Sequence, residues 1–141
     1  MQTSSDYSDV YLRKRGIKAS FQRVSILDFL QGTTTHPSVS QIFEVLHPKI
    51  PNLSRATVYN TINLFLDKRI ITPVQVDGPE ARYDLAEPQH AHFHCQICQK
   101  IFDIPTAEIP IPDVLKEFEV REAQLLYRGV CQDCRSRSTK G

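Results

Sequence analysis

His90-Ala91-His92-Phe93-His94-Cys95-Gln96-Ile97-Cys98 is the stretch on which the reading of this chain turns. Three histidines at alternate positions run into a Cys-x-x-Cys, and a second such pair, Cys131 and Cys134, follows about thirty residues later. As a strand, period-two alternation places His90, His92 and His94 on one face and Phe93 and Cys95 on the other. The pattern predicts an imidazole site and a thiolate site back to back. Tetrahedral zinc takes four thiolates at about 2.3 Å, and each Cys-x-x-Cys turn offers two. Cys95, Cys98, Cys131 and Cys134 are therefore expected to hold one structural Zn(II). The competing reading is a redox dithiol, which calls for a Cys-x-x-Cys at a strand-to-helix turn, and neither pair is expected at one.

Working outward, 141 residues allow one ordinary domain or two very small ones, with a modest core that a metal staple would strengthen. Splitting after Glu80 gives nine basic and seven acidic residues, then eight and nine, too weak an asymmetry to argue nucleic-acid binding by itself. No apolar run approaches the ~18 residues of a membrane span, and Met1 to Val10 lacks the regions of a signal peptide. A cytoplasmic location without membrane contact is expected. Thiols stay reduced there, which favours metal over disulfides.

Upstream, Val10 to Arg15 reads as a short helix after a frayed polar start, stopped by Gly16. Ser20 is the expected cap of a buried helix over Phe21 to Gln31, and Ser38, after His36-Pro37, caps Val39 to Leu46. Ser54 caps a third helix, Arg55 to about Lys68, with Val58, Ile62, Phe65 and Leu66 as its core stripe. Its opposite face carries Arg55, Thr57, Tyr59, Asn60 and Asn63, side chains suited to phosphates and base edges. Two capped helices joined by a short Pro-containing turn are what a helix-turn-helix requires, although an ordinary solvated face has the same composition. Strand-like runs Ile70 to Val76 and Ala81 to Leu85 around Asp77-Gly78 supply the hairpin of a winged helix.

Beyond Glu80 histidines, cysteines and prolines concentrate, so the domains are expected at 1–79 and 80–141, in an α+β protein. Ile101 to Ile104 is a strand candidate. Antiparallel pairing about the first cysteine turn sets Asp103 opposite His92. Asp113 to Phe118 reads as a short helix and Val120 to Val130 as a longer strand able to pair with its copy in another subunit. The tail, about 135–141, is expected to be disordered.

Taken together, Gln22-Arg23, His36-Pro37, Ser54-Arg55-Ala56-Thr57-Val58-Tyr59-Asn60, Arg82-Tyr83-Asp84, His90-Ala91-His92 and the two cysteine pairs resemble the ferric uptake regulator superfamily of bacterial metal-dependent repressors. The similarity runs from about Gly16 to Cys134. It implies an N-terminal winged-helix DNA-binding domain, a C-terminal α/β dimerisation domain with a structural zinc, a homodimer on palindromic operator DNA, and no enzymatic activity. Within the superfamily the chain is most similar to the peroxide-sensing, PerR-type branch. That likeness places the regulatory Fe(II) or Mn(II) on His36, Asp84, His90, His92 and Asp103, and makes His36 and His90 the targets of metal-catalysed oxidation. Iron sensors typically carry glutamate where this chain has Asp84 and Asp103. Their additional C-terminal site is expected to be absent, since its positions hold Ala91 and Ala123. Lys18 matches a basic position that reaches the minor groove.

His94 departs from the pattern, where an aliphatic residue is usual; it is expected as a partly exposed or outer histidine, with a sixth ligand as the alternative. Three imidazoles and two carboxylates without thiolate suit iron or manganese, although zinc also binds such donors. Rival functions are an iron- or manganese-responsive repressor without peroxide sensing, a zinc-binding enzyme, a metal carrier or a thiol oxidoreductase. The absence of His-Glu-x-x-His weighs against a metalloprotease.

Overall fold

The structure is a computed structural model that describes residues 4–74, 76, 78–86, 90–105, 109–121 and 123–138. The chain divides into two units, Met1–Ala86 and Glu87–Gly141. No helix of the described residues is long and apolar enough to cross a membrane.

The first unit contains α1 (Ser4–Lys14), α2 (Phe21–Gly32), α3 (Val39–Leu46), α4 (Arg55–Asp67) and an antiparallel hairpin of β1 (Ile71–Val74) and β2 (Arg82–Leu85). The serines start the three inner helices. Ser20, Ser38 and Ser54 accept from the backbone N–H groups of Arg23, Gln41 and Thr57, and Ser38 with Gln41 completes a reciprocal capping box. Gly16, at φ 74°, ends the first helix. Its N–H donates to Arg13 O and that of Ile17 to Leu12 O, the paired bonds of a glycine-terminated helix. The apolar faces converge on Leu12, Ile26, Leu27, Ile42, Ile62 and Phe65, all buried.

Two expectations change here. The first helix begins at Ser4 rather than Val10, because it is seated by more than its apolar residues: Ser8 is fully buried and its hydroxyl meets Asp28 and Gln31 of α2. The division between units falls after Ala86 rather than between 79 and 80, since β2 pairs with β1 residue for residue from Ile71–Leu85 to Val74–Arg82, and Tyr83 joins the helical core. Asp77, placed at the hairpin turn, lies outside the described residues.

In the second unit β3 (His90–Cys95) lies between β4 (Ile101–Pro105) and β5 (Leu126–Gly129). The β3–β4 pairing is antiparallel and sets His92 opposite Asp103, the expected register. The strand proposed over Val120 to Val130 shortens to the four residues of β5, which run parallel to β3 with Gly129 beside Cys95. That direction follows from the cysteines. Cys131 comes two residues after Gly129, and only a parallel return carries it to the Cys95 end of β3. The helix expected over Asp113 to Phe118 contracts to a 3-10 turn, Asp113–Leu115. Of the tail expected to be disordered, residues 135–138 are instead helical and 139–141 lie outside the described residues: α5 spans Gln132–Ser138, with Asp133 in its first turn and Arg135 and Arg137 in its last, signs that complement the helix dipole.

Candidate metal centres

The thiolate centre is built from a turn and a helix start. After β3, Gln99 N–H donates to Cys95 O at 3.0 Å and Cys95 N–H to Lys100 O at 3.0 Å, closing the Cys-x-x-Cys turn with Gln99 at φ 66°. The second pair opens α5, where Arg135 N–H bonds Cys131 O at 2.9 Å. This corrects the expectation that neither pair sits at a strand-to-helix turn. A dithiol reading still does not follow, because the four Sγ atoms gather within 4.8 Å of one another. Four ligands at 2.3 Å in a tetrahedron have sulfurs about 3.8 Å apart, and Cys98 Sγ and Cys131 Sγ are separated by 3.8 Å. The cluster fits zinc. Cys95, Cys131 and Cys134 are buried, Cys98 is partly exposed, and Phe93 packs against the group.

The electrostatics are uneven. Burial pushes the Cys95 thiol up, but backbone N–H groups of Cys131, Cys98 and Ile97, with the Cys98 thiol, outweigh it and bring the pKa down to about 6. The Cys131 N–H lies 3.4 Å from Cys95 Sγ. Burial and the sulfurs of Cys131, Cys95 and Cys98 push Cys134 up to about 12. Metal binding at neutral pH therefore displaces a proton from Cys134, whereas Cys95 is already largely thiolate.

A histidine–aspartate pair belongs to each unit. In the first, His36 Nε2 lies 3.3 Å from Asp84 Oδ2, the imidazole nearly fully buried. His36 adopts φ 53° although Pro37 follows, a conformation that non-glycine residues rarely take and that proline disfavours in its predecessor. Strain of this kind costs on the order of 1–3 kcal/mol and persists only when the surroundings over-determine it. Here β2 does so. Arg82 Nε donates to His36 O at 2.8 Å and Nη2 to Thr35 O at 2.5 Å, while Tyr83 N–H donates to Pro37 O at 3.1 Å. Asp84 is aimed as well, since its Oδ1 accepts from Leu85 N–H at 2.8 Å and leaves Oδ2 toward the imidazole.

In the second unit His92 Nε2 lies 3.5 Å from Asp103 Oδ1, across the β3–β4 register. Adjacent donors on an octahedral ion with bonds of about 2.1 Å are about 3 Å apart, so both pairs have near-ligand spacing without sulfur. His90 contributes its backbone to β3; its side chain lies outside the described residues.

His94 is 1 % exposed, so the partly exposed alternative is corrected. Its Nε2 is 2.9 Å from Gln99 Oε1, and Gln99 Nε2 donates to Gln96 O at 2.9 Å. That amide orientation makes His94 Nε2 the protonated nitrogen. Its ring thus braces the cysteine turn. The period-two pattern could not separate it from His92, because the distinction comes from Gln99, five residues on.

On the face proposed for DNA, Tyr59 is 57 % exposed, and Lys18, Arg55 and Asn60 are exposed. Thr57 is half-buried, with its hydroxyl 2.9 Å from that of Ser54. Arg82 was legible only as part of the Arg82-Tyr83-Asp84 resemblance; its hold on the loop carbonyls has no local sequence signal.

The fold and ligand sets define a class: a metal-binding α+β protein with a winged-helix unit and a separate thiolate-stapled sheet. Residues 14–128 match the Ferric uptake regulator family, and the chain belongs to it. It is 32% identical over 130 residues to a peroxide-responsive repressor PerR of Staphylococcus saprophyticus, covering 89% of this chain and 88% of that one. A PerR from Streptococcus pyogenes, whose structure was solved in connection with peroxide sensing and gene regulation, is 26% identical at a TM-score of 0.54, covering 95% and 94%. A ferric uptake regulator from Pseudomonas aeruginosa with manganese shares the fold at a TM-score of 0.69 and 24% identity, covering 89% and 98%.

Proposed function

We propose that this chain is a metal-dependent transcriptional repressor that binds palindromic operator DNA as a homodimer and is released by peroxide. The observation that carries the reading is the His36–Asp84 pair, a sulfur-free donor set built into the winged-helix unit and held there at a cost in backbone strain. An ion taking His36 and Asp84 together with His90, His92 and Asp103 ties the two units and favours the arrangement that sets two recognition helices at half-sites. Lys18, Arg55, Thr57, Tyr59 and Asn60 are the residues assigned to DNA. By linkage, operator binding tightens the metal by the same factor. The four cysteines take no part in the switch and hold zinc.

Iron(II) held by these residues would activate peroxide as a catalyst, with no net change in its oxidation state. His36 and His90 would present the imidazole C–H bonds: one peroxide oxygen would be added there, the two electrons coming from the C–H bond, and the other would leave as water. The peroxide-responsive S. saprophyticus relative supports this branch, as do aspartates rather than glutamates at positions 84 and 103.

The test is duplex binding by iron-loaded and manganese-loaded protein, before and after peroxide, on an operator selected from random sequence, with mass analysis of the histidine peptides. Release of the iron form alone, with one oxygen added at His36 or His90, is the expected result. Metal-dependent binding that survives peroxide with unmodified histidines would leave an iron- or manganese-responsive repressor instead.

A further inference from the structure

Glu80, in the wing between β1 and β2, is used by neither metal centre. Ser40 Oγ donates to its Oε1 at 2.6 Å, and Arg55 Nη1 donates to the same Ser40 Oγ at 3.3 Å. The Arg55 guanidinium lies 4.7 Å from the Phe43 ring centroid, so it is laid along α3 with the wing's carboxylate beyond the bridging hydroxyl. The hydroxyls of Ser40 and then Ser38 hold the Glu80 carboxyl below its usual range against the opposing effect of burial, and the Arg55 charge adds to them. Glu80 is thus an anion at neutral pH. Arg55 is the first residue of α4, the end of a recognition helix from which base edges and flanking phosphates are contacted.

A hydroxyl and a guanidinium are the donors that bind a DNA phosphate oxygen. We propose that Glu80 is an internal phosphate mimic: bridged by Ser40, it holds Arg55 away from the DNA backbone, so that the wing lowers the affinity of the recognition helix for duplex in general. The inference rests on the reading that α4 meets DNA. Glu80 is a positioning residue, acting through Arg55. A phosphate arriving at Arg55 must displace a carboxylate of the same charge, and the energy of that exchange is missing from every duplex alike. The effect is therefore on non-specific binding as much as on operator binding.

The test is a double-mutant cycle of Glu80→Gln and Arg55→Gln in full-length, metal-loaded protein, measured on a random-sequence duplex across a salt series. The amide that replaces the Glu80 carboxylate can still accept from Ser40, and equal thermal unfolding of variant and parent confirms the fold. Glu80→Gln is expected to tighten binding about fivefold and to steepen the log–log salt dependence by about 0.9, the value for one further phosphate neutralised. With Arg55→Gln present, Glu80→Gln should change neither quantity. Unchanged or weaker binding by Glu80→Gln, or a gain that persists without Arg55, would overturn the inference and leave the repressor reading intact. Failure of the parent protein to bind any duplex would overturn both.

Discussion

The thiolate centre and the His92–Asp103 pair share strand β3, yet the thiolate centre and the two histidine–aspartate pairs are built in opposite ways. Cys95 and Cys98 come from one turn, Cys131 and Cys134 from one helix start, and β3–β5 pairing brings the two pieces together inside a single unit. Nothing has to move for all four sulfurs to meet one ion. His36 and Asp84, by contrast, belong to the first unit and His92 and Asp103 to the second, so each unit holds a spaced pair rather than a full coordination shell. A complete local site is suited to holding a fold. On the function proposed above, ligands divided between units would make a conformation depend on the metal.

The sharpest way to break that contrast is Cys131→Ser. Structural zinc contributes apparent free energies of about 10–16 kcal/mol in small zinc domains, and Cys131 supplies one of the four sulfurs while the serine keeps the backbone N–H that bonds Cys95. The variant should lose its zinc and much of the stability of the second unit, measured by metal analysis and calorimetry. A variant that kept both would show that the cluster is not a structural zinc site.

His36→Ala comes next. Regulatory metal affinity should fall by more than the roughly 10–100-fold typical of losing an outer partner, and metal-dependent DNA binding should vanish, with zinc content and dimer unchanged. Loss of the dimer would refute the division of labour. Arg82→Ala probes the strap rather than a ligand. With the Thr35 and His36 carbonyls released, regulatory metal affinity should fall about 10–100-fold by isothermal titration. An unchanged affinity would mean that the strained loop holds itself.

The smallest effect is one of pH on zinc-free protein. Cys95 has its pKa lowered in the fold to about 6 from an ordinary 9.0. Its contribution to stability is therefore full above about pH 9 and lost as pH falls through about 6. The stability difference between zinc-free parent and Cys95→Ser should shrink over that interval in denaturant titrations. A difference that grew on acidification would reverse the sign assigned to Cys95.

Much of the first unit was legible because its signals are local. Ser20, Ser38 and Ser54 each cap within three residues, and apolar spacing defines the buried stripe of α4. The start of α1 was not, because Ser8 is polar and its reason for burial is α2, twenty residues away. In the second unit the turn through Cys95 and Cys98 set the His92–Asp103 register, whereas β5 and α5 were misjudged. Their limits depend on a parallel partner and on where the cysteines must converge.

The sequence by itself determined the two cysteine pairs, the capped helices and the two faces of β3, since spacing and alternation act over a few residues. Only the tertiary structure decided that Arg82 straps His36 into a left-handed conformation, that His94 braces the cysteine turn, and that Glu80 engages Arg55 through Ser40. The first and last of these join residues 46, 40 and 15 positions apart. At such separations no local pattern selects the partner, and packing of the completed fold does.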